Sequence, residues 1–119
     1  MKSWEDYDYG RVWMAPLWLD GLKIRPGVSI HDCSENCASL SMWMVPGTGR
    51  KKSHREAVIV KPDELLEGKL EKMTYFTVRF AQEISKKELR RYLGRLTGVF
   101  QGELRETCKQ VARLRKYRR

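Results

Sequence analysis

Residues 11–19 (RVWMAPLWL) form an apolar, aromatic run long enough for a strand, and Pro16 within it points to an edge position or a bulge. Asp20-Gly21 then reads as a turn. Residues 27–31 (GVSIH) predict a second strand, 32–37 a polar loop, and 40–45 (LSMWMV) a third, well-buried strand. Pro46-Gly47-Thr48-Gly49 breaks the pattern, and the basic run Arg50-Lys51-Lys52 follows it. Residues 57–61 (AVIVK) give a fourth strand that stops at Pro62, where a short helical turn through residue 66 can start. Residues 73–80 (MTYFTVRF) alternate and are rich in β-branched and aromatic side chains, which marks a further strand. Residues 81–85 continue or restart the sheet, 86–89 suit one helical turn, and 92–96 a short edge strand.

The period then changes. Phe100, Leu104, Cys108, Val111 and Leu114 or Arg115 recur at spacings of three and four, the stripe of an amphipathic helix. Thr97 is placed to cap it, while Gly98 and Gly102 weaken its first turns. Many short strands followed by one terminal helix predict an α+β fold: a small, strongly bent antiparallel sheet or open barrel with the helix packed across it.

The chain has 119 residues, enough for one domain with a single core, so residues 1–119 are read as one unit. No apolar run approaches the ~20 residues that cross a bilayer. Residues 1–9 form an aromatic and acidic arm (Trp4, Glu5, Asp6, Tyr7, Asp8, Tyr9), opposite in character to a secretory leader, and the expected location is the cytoplasm. Cys33, Cys37 and Cys108 are odd in number and form no Cys-x-x-Cys pair, as free thiols in a reducing compartment do. His31, Cys33 and Cys37 supply at most three metal ligands at an unusual spacing. The net charge of +9 has a location: residues 86–119 hold twelve Lys/Arg against three Asp/Glu, whereas the residues before them hold twelve of each. A polyanionic partner or a solvated helix with a basic tail (residues 115–119) accounts for that excess equally well.

The familiar hydrolytic signatures are missing. Two histidines, His31 and His54, make no Ser-His-Asp pattern, and there is no Walker loop, no His-Glu-x-x-His and no carboxylate cluster for paired magnesium ions. An enzyme built on this chain is expected to need no cofactor or metal, working with cations and hydroxyls. Two segments have that chemistry: Lys23-Ile24-Arg25-Pro26-Gly27 at the mouth of the second strand, and Val45-Pro46-Gly47-Thr48-Gly49-Arg50 at the exit of the third. If those strands pair, Arg25 and Thr48 come to the same edge of the sheet and can face one cavity.

The succession Gly10-Arg11-Val12-Trp13, Ile24-Arg25-Pro26, Val45-Pro46-Gly47-Thr48, then 84–89 (ISKKEL) and Leu93-Gly94-Arg95-Leu96 before a last helix resembles the PemK/MazF-type growth-inhibitor toxins over residues 10–114. The resemblance implies an SH3-like barrel shared with CcdB-like proteins, a homodimer, and cleavage of single-stranded RNA held in check by an antitoxin. It makes Arg25 the catalytic arginine and Thr48 the catalytic hydroxyl, with Ser53 a distant substitute. Lys23, Arg50, Lys51 and Lys52 would attract the RNA backbone, and His54 or Trp18 can stack on bases. Three departures from the family pattern stand out: a short connection over 20–24, Gly27 after Arg-Pro, and Arg79-Phe80-Ala81-Gln82 on the late strand. Two other readings remain open: a fold relative that acts only by binding a protein, and a basic nucleic-acid-binding module.

Overall fold

The apolar run of the first strand is buried on both faces, which is why it is nearly continuous rather than alternating. In the computed structural model, which describes residues 9–30, 40–50 and 56–117 (side chains through 113), β1 spans Arg11–Trp18. Its Val12 enters one hydrophobic core, while Trp13, Ala15 and Leu17 enter a second. The other strands are β2 (Leu22–Ser29), β3 (Ser41–Thr48), β4 (Ala57–Val60), β5 (Leu65–Gly68), β6 (Thr74–Thr77), β7 (Gln82–Ser85) and β8 (Arg91–Leu96). Short 3-10 turns cover Val78–Phe80 and Lys86–Glu88, and the closing helix α1 runs Gly98–Tyr117.

All neighbours are antiparallel, in the order β4-β6-β3-β2-β1-β8-β5. β3 divides its second edge between two partners. Ser41–Met44 pair with β7, and Gly47 and Thr48 pair with β6. That change of partner bends the sheet into a curled half-barrel whose outer strands, β4 and β5, do not meet. The expected α+β fold, with bent strands and a terminal helix, is the one observed.

α1 lies against β4, β8 and the Val78–Phe80 turn. Leu104 and Val111 enter the larger core with Val12, Val28, Val45, Val58, Val60, Phe76 and Leu96, and Phe100 and Cys108 pack at its rim. Thr97 caps the helix as its position suggests, its Oγ1 accepting the Phe100 N–H at 3.4 Å. The smaller core gathers Trp13, Ala15, Leu17, Met42, Met44 and Leu89 on the opposite face of β1–β3.

Several boundaries differ from the sequence reading. β2 starts at Leu22, not at residue 27, so Lys23 and Arg25 lie within the strand; the ladder with β1, from Trp18–Leu22 to Val12–Val28, holds them there. β3 runs through the Pro-Gly-Thr stretch read as a breaker, because Pro46 pairs with Gly27 where β3 passes from β7 to β6 and needs no second N–H donor. No helical turn forms over 62–66; Leu65 is buried and pairs with Leu96 at the start of β5. The strand expected over 73–80 closes at Thr77 and tightens into the 3-10 turn. β8 is no edge strand, since β1 and β5 flank it. β1 is internal too, yet its ladder with β8 ends at Met14, so Pro16 sits where β1 has a sheet partner on one side only. The segment holding His31, Cys33 and Cys37 lies outside the described residues.

Candidate active site

The β1–β2 hairpin closes in three residues, 19–21, with Asp20 at φ 57° and Gly21 at φ 126°. From this tight end β2 runs back toward β3 but meets it only at Gly27, Val28 and Ser29. Beyond the Gly27–Pro46 pair the two strands part, and β3 turns its last residues to β6. A cavity of about 540 Å³ opens at this fork, and both Arg25 and Thr48 line it. The volume falls within the range of about 300–1,000 Å³ that encloses a small ligand or a short piece of a polymer.

Arg25 is buried, with only 9 % of its surface exposed. Its Nε–H donates to the Leu17 carbonyl and its Nη2–H to the Gly21 carbonyl, both at 3.1 Å. Two backbone oxygens of the hairpin thus fix the plane of the guanidinium. Its other N–H groups have no acceptor among the described residues. Burial pulls the pKa of Arg25 below its ordinary value, and the nearby Asp20 charge works the other way. A guanidinium so far above neutrality stays charged nonetheless. The fold therefore keeps a fixed, partly desolvated cation with donors to spare, as an oxyanion site requires.

Thr48 ends β3 between two glycines. Its Oγ1 accepts the Arg50 N–H at 3.2 Å, which sets the side chain and leaves the hydroxyl proton able to donate outward. Gly47 makes room for β6, and Gly49 for the segment that leads into it. A Cβ on Gly47 would press on the Thr74 methyl and, at 3.0 Å, on the Phe76 ring, and one on Gly49 would lie 2.6 Å from Lys72 Cδ. Gly27, the departure noted in the sequence, has a similar cause: a Cβ there would strike Leu17 Cδ1 and stand 3.0 Å from Met44 Cε. The smaller core needs that space.

Lys23 and Arg50 also line the cavity. Lys51, Lys52, Ser53 and His54 lie outside the described residues. Trp18 is half exposed and leans on Phe80, ring centroids 6.1 Å apart, but it is not part of the lining. Sequence reading missed Lys69, Lys72, Thr74 and Arg91, which come to the cavity from the β5–β6 connection, β6 and β8. No local signal marks them, because only the curl of the sheet brings β5, β6 and β8 round to the fork. With them the cavity has six cationic side chains against two carboxylates, Asp20 and Glu71, and it favours an anion. The late-strand residues are used elsewhere. Arg79 Nε pairs with Glu56 at 2.8 Å, and the Gln82 amide bonds both the N–H (2.8 Å) and the carbonyl (2.9 Å) of Trp18, sealing β1 beyond the end of β8.

No protein-family model matches the sequence, and no curated protein does. Solved structures are similar over most of the chain. The Mycobacterium tuberculosis toxin MazF-mt6 is 19 % identical with a TM-score of 0.69, covering 85 % of this chain and 94 % of its own. An endoribonuclease in complex with its cognate antitoxin from a mycobacterial species is 20 % identical with a TM-score of 0.72, covering 90 % and 95 %. A MazE–MazF complex from Deinococcus radiodurans gives 14 % and 0.67, covering 88 % and 94 %. At such identities the likeness concerns the path of the backbone, and on that ground the chain has the fold of the MazF-type toxins.

Proposed function

We propose that the protein is a toxin-type endoribonuclease that cleaves single-stranded RNA at the β2–β3 fork without a metal. The observation that carries this reading is the pairing of a fixed, buried arginine with a threonine hydroxyl on the wall of one cationic cavity. In the proposed reaction the 2′-oxygen attacks the neighbouring phosphorus and the bond from phosphorus to the 5′-oxygen breaks. The products are a 2′,3′-cyclic phosphate and a free 5′-hydroxyl. One proton leaves the 2′-oxygen and one arrives at the 5′-oxygen, so no water is consumed. Arg25 binds the non-bridging oxygens and stabilises the added charge of the pentacoordinate state. Thr48 donates its hydroxyl proton to the same phosphate or orients the 2′-hydroxyl. Lys23 and Arg50 hold the backbone, joined in this reading by Lys51 and Lys52; His54 stacks on a base, and Trp18 reaches only an RNA that extends past the cavity.

The same reading includes a cytoplasmic site of action, a second copy of the chain, and an antitoxin whose acidic segment meets the basic end of α1. The solved complexes of similar proteins with their antitoxins support the antitoxin partner as such. The test is direct. Purified protein is incubated with mixed-sequence single-stranded RNA in EDTA, and both ends of the products are mapped. Cleavage with cyclic-phosphate ends is expected, and Arg25→Ala should slow it by a factor of about 10² to 10³. An RNA with a single 2′-deoxy sugar at the cut position should stay intact. Cleavage that proceeds equally fast in Arg25→Ala, or that needs added metal, sinks the proposal.

A further inference from the structure

Thr48 has a cation on each side. Arg25 faces it across the fork from β2, and β6, the strand paired to its other edge, is led in by Lys72. Lys72 is exposed, yet its stem is seated: the place where a Cβ of Gly49 would project lies 2.6 Å from its Cδ, 2.7 Å from its Cε and 3.2 Å from its Cγ. The stem thus lies across the backbone of the residue after Thr48. The base of this arm is tied down as well, since the Lys72 carbonyl accepts the Thr74 hydroxyl at 2.9 Å and the Thr74 methyl packs over Gly47. Lys69, three residues earlier in the same connection, lines the cavity too. A lysine with no such seat would sweep freely through solvent. Here the missing side chain of Gly49, just past β3, seats the lysine stem on the wall of the cavity that Thr48 also lines.

We infer that Lys72, with Lys69, forms a second phosphate subsite, which engages the phosphate next to the scissile one. This deepens the ribonuclease reading and rests on it. A single cation at Arg25 suffices for one phosphate. A second, on the far side of Thr48, adds affinity only for a chain that carries a neighbouring phosphate. The preferred ligand is then an oligonucleotide with at least two phosphates in the cavity, and a bare dinucleoside monophosphate is a poor one. Gly49 sets the arrangement, because a Cβ there would overlap Lys72 Cδ and Cε and displace the stem from this seat.

The test uses the whole chain and non-cleavable probes: a dinucleoside monophosphate with a 2′-deoxy sugar at the cut position, and the same molecule with an added 5′- or 3′-terminal phosphate. Binding is measured by calorimetry across a salt series. In the wild-type protein one of the terminal phosphates is expected to tighten binding by about tenfold. Lys72→Met, which keeps the seated stem and drops the charge, should reduce that step to about one and lower the salt slope by roughly 0.7. Gly49→Ala keeps the charge and should lose the step as well. An equal step in wild type and Lys72→Met overturns the subsite, as does the absence of any step in wild type. If the step depends on Lys72 while no RNA is ever cut, the subsite stands and the ribonuclease reading falls.

Discussion

Arg25 and Thr48 occupy the positions that would face each other directly if the β2–β3 ladder continued two residues past the Gly27–Pro46 pair. The strands part at that pair, so the two residues keep their register but gain a cavity between them. On the proposed reading they act on one phosphate and should not be independent. Thr48→Ala is expected to slow RNA cleavage by roughly 10- to 100-fold, with Thr48→Ser close to wild type. Arg25→Ala combined with Thr48→Ala should cost less than the two single effects multiplied, by about 1 kcal/mol or more. Single-turnover rates of the four proteins measure this, and strict multiplicativity would place the two groups on separate tasks.

Gly27 is a packing requirement of the smaller core. Gly27→Ala sets a methyl group into Leu17 and Met44, and overpacking of this kind costs about 1–3 kcal/mol. Leu17→Ala in the same chain vacates the space, so the double variant should be more stable than the sum of the two single losses implies. Urea denaturation of the three variants decides the matter; additive losses would show that Leu17 is not the obstacle. The consequence reaches the site, because Leu17 also offers the carbonyl that holds Arg25 Nε–H.

Tyr92 joins three strands. Its hydroxyl accepts from Arg11 Nη1 at 2.8 Å and donates to Glu67 Oε1 at 2.9 Å, while Arg11 and Glu67 pair at 2.9 Å. Burial above all raises its pKa over the ordinary tyrosine value of 10.0, although the Arg11 hydrogen bond opposes this. The folded protein therefore keeps a proton that the unfolded chain gives up above pH 10. Stability from this group is fully present below that pH and falls as pH climbs toward the raised value. Tyr92→Phe should cost about 1 kcal/mol at neutral pH and flatten the decline above pH 10. Denaturation midpoints of both proteins over that range test it; parallel decline in the two would rule Tyr92 out as the cause.

Trp18 lies outside the cavity beside Phe80, so its contact with RNA depends on length. Trp18→Ala is expected to weaken binding of a ten-nucleotide RNA by roughly fivefold, the stacking of one base at an exposed site. Binding of a trinucleotide should change less than about twofold. Equal losses for both lengths would put Trp18 in the cavity after all.

Much of the fold was legible along the chain, and the reason is local. The two-residue period and β-branched content of β4 and β6, the apolar runs of β1 and β3, and the stripe from Phe100 to Val111 each report what faces the core at that element. Thr97 could be read as a cap because its partner N–H lies only three residues away. Boundaries failed where a distant strand overrode a local preference. Pro46 and Gly47 look like a break but remain strand because Gly27 and Phe76 are there to pair with them. Pro62 looks like a helix start, yet Leu65 is drawn into a strand by Leu96, which lies more than thirty residues further along.

The sequence by itself determined the class of fold, the basic end, and the two short segments that carry Arg25 and Thr48. Periodicity and composition carry that much because each residue's burial is set mainly by its own polarity. Only the tertiary structure decided that β2 and β3 separate at Gly27–Pro46, that β6 takes over the end of β3, and that Lys69, Lys72 and Arg91 converge on the opening. Those facts depend on which strand edges meet once the sheet curls, and no single stretch of chain encodes a contact whose other half lies dozens of residues away.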